Sequence, residues 1–225
     1  IDTSDPSLEI AVSSAGAVIN EVEDAANAGV ATVTAELDAN WSVVLTGQAG
    51  SVTVTGTGTG NSQAVKLSDS NVTTLGEGAV TVSGSATDAA GNTKSVAGTN
   101  LITIDTVGPT LYIDDVLEGD NKANATEDND IVISGTSGGL EAGQKVTVTV
   151  TVGGSAITPL EATVKADGTW ATSGGNIASL GQGTVTLSAT ADDAAGNSIA
   201  SAVTSTQLSH DSVGAVVSVD RKSVV

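Results

Sequence analysis

The sequence predicts an all-β chain made of two tandem immunoglobulin-like Greek-key β-sandwiches in an elongated array. Three observations carry that reading. Apolar and polar residues alternate with period two along Val80–Thr87, Val146–Val152 and Val52–Thr55, the pattern of strands buried on one face. Clusters of Gly, Asn, Asp and Ser separate these runs as turns. A long unit is also written twice in the chain.

The duplication is direct. Residues 75–92 read LGEGAVTVSGSATDAAGN, and residues 180–197 read LGQGTVTLSATADDAAGN, at an offset of 105. IDTSDPSLEI (1–10) matches IDTVGPTLYI (104–113), and Asn20-x-x-Glu23 matches Asn124-x-x-Glu127. A weaker copy of the opening, HDSVGAVVSV, stands at 210–219. The boundaries expected from these matches are 1–105 for the first sandwich, 106–211 for the second, and 212–225 for the start of a third or a tail. About seven short strands in about 100 residues suit the immunoglobulin type of sandwich. Asp167-Gly168 reads as a hairpin turn. No segment reads as a helix.

The middles of the repeats diverge. Trp41 lies 34 residues before its LGEG, and Trp170 lies 10 before its LGQG, so the two are not equivalent. Each is expected to anchor a core. Phe and Met are absent and the apolar residues are mostly Val, Ala, Ile and Leu, so burial stabilises little per residue at roughly 25 cal/mol per Å². There is no Cys, which excludes disulfides and thiolate zinc sites. With disulfides gone, metals and oligomers are the staples left for a weak core, and a metal is the leading candidate.

The net charge of −19 repels nucleic acid and anionic membranes. No apolar run is long enough to span a bilayer and no signal peptide is read, so the segment is expected to lie inside a longer chain. No nucleophile motif, P-loop or metal-hydrolase spacing is present, and the one histidine, His210, is expected to be a solvated linker residue. An enzyme is not expected.

The acidic residues recur at matched positions. On an immunoglobulin-type sandwich, the loop before the last strand of repeat 2 presents Asp192, Asp193 and Asn197. The opposite end of repeat 1 presents Glu21, Glu23, Asp24 and Glu77, and Asp105 is the linker acid. By the same logic Asp2, Asp88 and Asn92 face a preceding domain, and Glu127, Asp128, Asp130 and Asp211 a following one. Hard oxygen donors without His or Cys suit Ca2+, which takes about six to eight oxygens. The competing reading makes Asp-Ala-Ala-Gly-Asn a tight turn bonded to its own backbone. An EF-hand is excluded at 120–131, since Ala125 stands where Gly is required and Ile131 where the bidentate Glu belongs.

DAAGN before a final strand, followed by I-D-T-x-x-P, resembles the bacterial Ig-like repeats of giant RTX-type adhesins, over nearly the whole chain. Two departures occur at the third copy: His210 replaces the Ile of the I-D pair, and Ala215 replaces the proline. The resemblance implies an extracellular, cell-surface or biofilm adhesin exported by type I secretion. It implies calcium at Asp105, Asp192 and Asn197, and by the same pattern at Asp2, Asp88, Asn92 and Asp211. It also implies a spacer role, with neighbouring repeats of the same chain as partners and a monomeric state. The alternative is an adhesion module for glycan, protein or ice, for which threonine runs at 53–59 and 147–151 are the best support.

Overall fold

A computed structural model describes residues 1–12, 18–21, 29–115, 117–200 and 202–214. The chain forms two compact units: Ile1–Gly108 with Ala195–Asn197, and Pro109–Ala194 with the chain from Ser198 onward. The boundary thus falls at Gly108/Pro109, three residues after Asp105. Both units are all-β sandwiches.

In the first unit the strands are β1 (Leu8–Val12), β2 (Val18–Ile19), β3 (Gly29–Ala35), β4 (Asn40–Thr46), β5 (Ser51–Thr57) and β6 (Ser62–Lys66). A short helix α1 (Asp69–Leu75) leads into β7 (Gly78–Thr87) and β8 (Thr93–Ile104). One sheet runs β1-β3-β6 and the other β2-β8-β7-β4-β5. The first strand is therefore split. β1 pairs antiparallel with β3 in one sheet, and β2 crosses to pair parallel with β8 in the other.

The second unit repeats the plan. β9 (Thr110–Ile113), β10 (Lys122–Ala123), β11 (Ser134–Gly138), β12 (Lys145–Val152), β13 (Ser155–Ala156), β14 (Leu160–Thr163) and β15 (Thr169–Ala171) come first. β16 (Gly183–Ala191), β17 (Val203–Ser205) and β18 (Ser209–His210) complete it. One sheet runs β15-β11-β9, and the other runs β10-β18-β16-β12-β13 with β14 and β17 paired onto β12 and β16. β10 lies parallel to β18, as β2 does to β8.

The period-two pattern places the core. Val146, Val148, Val150 and Val152 are all at most 1% exposed, and the threonines between them face outward. Full burial of such a side chain stabilises by about 1.5–3 kcal/mol. Each core then gains one tryptophan, set by a glycine. Trp41 on β4 pairs across the ladder with Gly56, and Trp170 on β15 with Gly135. A Cβ at either glycine would collide with the indole ring, so glycine lets the ring lie over the neighbouring strand. The two tryptophans sit on different strands yet use one device.

Two expectations are corrected and one is met. A helix does exist: α1 buries Val72 and Leu75 and its Ser68 N–H donates to Asn71 Oδ1 at 3.1 Å. Its β-branched, seven-residue sequence carries no periodic helical signal. Asp167-Gly168 forms the expected hairpin turn: Gly168 has φ 79, Lys165 N–H donates to Thr169 O at 2.8 Å, and Ala162 bridges antiparallel to Thr172, while β14 and β15 continue into different sheets. His210 is not solvated; it is 1% exposed, at the place where the first unit buries Ile104.

The threonine runs also gain neighbours. On the outer face of the five-stranded sheet, Thr57, Asn40, Thr87 and Thr93 lie in one cross-strand row, and Thr55, Ser42, Ser85 and Ser95 in the next. These rows contain no charged residue, in a chain of net charge −19.

Candidate functional site

The linker acid Asp105 follows the last residue of β8. Its N–H donates to Ile19 O at 2.9 Å, which carries the parallel β2–β8 pairing one step further. Its carbonyl accepts from Asn197 Nδ2 at 2.9 Å, with Asp105 Oδ1 at 3.5 Å from the same nitrogen. Asn197 is 1% exposed, and its Oδ1 accepts the Glu21 N–H at 2.8 Å. Asn20 Nδ2 donates to Ala195 O at 2.9 Å. A buried amide must satisfy both its ends, and Asn197 does so on two backbone segments. Gly196, at φ 90, gives the loop the left-handed residue it needs to turn the amide inward.

The first copy of the loop does the same. Asn92 Nδ2 donates to Asp2 O at 3.4 Å and to Asp88 Oδ2 at 2.8 Å. Asp88 Oδ1 accepts the N–H groups of Ala90 and Asn92, each at 2.9 Å. The Asn92 side-chain bond, joined by these backbone bonds, holds the Asp88 carboxyl below its ordinary value against a smaller opposing desolvation. Asp2 Oδ1 accepts Ser4 N–H at 3.0 Å. The tight-turn reading of DAAGN is therefore realised at Asp88, and the asparagine adds a tie back to the acid that opens the repeat.

The remaining candidates divide. Asp193 aligns with Asp88 and is 6% exposed, whereas Asp192 is exposed and its Oδ1 accepts from Ser198 Oγ at 2.7 Å. Both oxygens of Glu77 bond Thr106: Oε2 accepts the N–H at 3.1 Å and Oε1 the hydroxyl at 2.6 Å. Asp211 N–H donates to Ala123 O at 3.0 Å, the counterpart of the Asp105 bond. Glu127 Oε2 accepts Asn124 N–H at 3.1 Å, and Asn124 Oδ1 accepts Thr126 N–H at 2.8 Å. This is a reciprocal cap, a local reason for the Asn-x-x-Glu spacing that sequence reading assigned to metal. Asp130 is exposed, and its carboxylate lies over Gly174. Glu23 and Asp24 lie outside the described residues.

Asp128, which the sequence places facing a following domain, is buried in the structure. It is 5% exposed, and its Oδ2 lies 3.3 Å from His210 Nε2, while His210 Nδ1 lies 2.9 Å from Gly181 O. The signal that could have found this pair was the repeat itself, since His210 falls where the matching residue is the buried Ile104. Among the described residues, no three acidic or histidine side chains gather closely enough to hold a metal ion. No helix among them is long and apolar enough to cross a membrane.

No protein-family model matches the chain, and no curated protein matches it. Solved structures do. One is from a 1.5-MDa bacterial ice-binding adhesin studied for host cell surface retention; it aligns over 94% of this chain and 67% of its own, at 25% identity and TM-score 0.51. A Ca2+-stabilized adhesin that helps an Antarctic bacterium reach out and bind ice aligns over 95% of this chain and 51% of its own, at 24% identity and TM-score 0.51. A tetra-tandem repeat from the extending region of a large adhesion protein covers 94% of this chain and 51% of its own, at 24% identity and TM-score 0.44. The chain spans about half the length of the latter two. Its structural neighbours are domains of large bacterial adhesins, and the fold it shares with them is the all-β sandwich.

Proposed function

We propose that the chain is a calcium-stiffened extender segment of a large bacterial surface adhesin, working outside the cell and without catalysis. The observation that carries this reading is the duplicated treatment of the repeat-opening acid. Asp2 and Asp105 are each tied at their carbonyl by the asparagine of a DAAGN loop. Asp105 and Asp211 each donate their N–H to the short second strand, at Ile19 and Ala123. A chain that repeats its linker geometry is organised for serial extension. The likeness at 25% identity to a domain of a giant adhesin supports the same role.

The donors fit calcium in kind. Asp105, Glu21 and Asn197 in the first unit, and Asp192, Asp193 and Asp211 in the second, offer hard oxygens with no competing thiolate. Bound calcium would offset the self-repulsion of a chain of net charge −19. The stabilisation by a ligand that binds only the folded state grows with its concentration, so extracellular millimolar calcium would hold the linkers firm. Exposed repeats would then present a terminal adhesion module away from the cell. Thermal unfolding in chelator and in millimolar calcium tests the reading: calcium raises the midpoint by several degrees if it is right, and magnesium does so far less. Equal midpoints in chelator and calcium would remove it.

A second reading has one specific observation behind it. The uncharged hydroxyl rows on the outer face of the first unit could serve as an adhesion surface for glycan, protein or ice. A glycan array and an ice-affinity assay on the same chain discriminate: a retained ligand, lost in Thr55→Lys, favours adhesion over spacing.

A further inference from the structure

The last ladder rung between β7 and β8 pairs Gly78 with Ile104, and that between β16 and β18 pairs Gly183 with His210. Beyond each rung the exiting strand keeps one more pairing on its other side, where Asp105 bonds Ile19 and Asp211 bonds Ala123. The next N–H, of Thr106 or Ser212, points back toward β7 or β16, where the partner strand has already ended. A side chain takes its place. Glu77 Oε2 accepts Thr106 N–H at 3.1 Å, and Gln182 Oε1 accepts Ser212 N–H at 2.7 Å.

The second bond of each pair is matched with its direction reversed. The Thr106 hydroxyl donates to Glu77 Oε1 at 2.6 Å, whereas Gln182 Nε2 donates to Ser212 Oγ at 3.0 Å. A hydroxyl can donate or accept, so it serves a carboxylate and an amide equally. The two copies differ in charge and agree in geometry. What is common to them is an acceptor for one backbone N–H and a bond to the neighbouring hydroxyl.

We propose that Glu77 and Gln182 are clasps: each extends the final β-ladder by one rung, fixing the first residue after the linker acid without any metal. This goes beyond the calcium reading and is independent of it. The task Glu77 performs here needs no charge, since its counterpart Gln182 carries none. A free backbone N–H at this point would turn to water, and the strand would end one residue earlier.

The test is amide hydrogen exchange of the full chain in chelator, read by NMR. Glu77→Ala should speed exchange at the Thr106 amide about fivefold, and Gln182→Ala should do the same at Ser212, as expected for loss of one modest hydrogen bond. Glu77→Gln should leave Thr106 within about twofold of the native rate, since the amide reproduces the Gln182 arrangement. Unchanged exchange at Thr106 in Glu77→Ala overturns the proposal. So does Glu77→Gln behaving like Glu77→Ala, which would mean that the charge matters. If Glu77→Ala also loosens Val80 and Val82 within β7, the near-isosteric Glu77→Leu decides, because it keeps the side-chain bulk and removes both acceptor oxygens. A rise confined to position 106 supports the clasp, and no change there overturns it.

Discussion

Asn197 donates to the backbone carbonyl of Asp105 at 2.9 Å, and this one bond joins a loop to a linker far away in sequence. Asn92 and Asp2 repeat it at 3.4 Å. The same amide of Asn197 also accepts from the Glu21 N–H, so its removal strands a donor and an acceptor together. Asn197→Ala should cost about 1–3 kcal/mol, the range for orphaned buried polar groups. Asn92→Ala should cost less, because Asn92 is half-buried and its bond to Asp2 is longer. Chemical denaturation of both variants at constant calcium checks the order; equal losses would contradict it.

The pairing of His210 with Asp128 is buried on both sides. Replacing one partner leaves the other without its counterpart in a low-dielectric site. His210→Ala should destabilise the second unit by about 1–3 kcal/mol, the range for a buried polar group left unsatisfied. Denaturation followed by Trp170 fluorescence reads that unit, with the Trp41→Phe background removing the signal of the first. A loss below about 1 kcal/mol, the level of an exposed pair, would show that the pair is solvated.

Gly135 lies across from Trp170, and a Cβ there would collide with both the indole ring and the Tyr112 carbonyl. Gly135→Ala should cost about 1–3 kcal/mol through overpacking. Gly143, which has φ 99 and open space around it, provides a control of a different kind, since alanine there meets backbone strain and no clash. A near-ultraviolet signal from Trp170 that changes in Gly135→Ala and stays native in Gly143→Ala separates the two mechanisms.

The carboxyls of Asp88 and Asp167 are both held below the ordinary aspartate value, chiefly by the side chains of Asn92 and Thr169. A depressed carboxyl stabilises the fold above its unfolded pKa, and that contribution is lost as pH falls through the folded pKa. The two turns should thus be insensitive to pH from neutrality down to about 4 and loosen only below it. Carboxyl carbon shifts followed by NMR on acidification check this, and Asn92→Ala should move the Asp88 midpoint upward. A midpoint for Asp88 above that of a free aspartate would contradict the hydrogen bonding seen at this loop.

The strands were legible because their signal is local. Val146 to Val152 alternate without interruption, and one buried face follows from that alone. The duplication made the second unit readable from the first. What escaped was decided by tertiary contacts. Helix α1 has threonine and asparagine where a helix would favour alanine or leucine, and it exists because Val72 and Leu75 dock into the core. His210 looks like a linker residue by its type, and only its alignment with Ile104 hinted at burial. The acids were read as one set, and the structure gives several of them separate hydrogen-bonding tasks. Glu77 and Glu127 each serve a nearby backbone N–H, and no spacing rule distinguishes such a carboxylate from a metal ligand.

The proposed role depends on calcium holding successive repeats in a fixed relation. Small-angle X-ray scattering of the chain in millimolar calcium and then in excess chelator tests this most directly. The account predicts a longer maximum dimension and a sharper profile with calcium, both lost on chelation and restored by calcium. Superimposable profiles in the two conditions would contradict it.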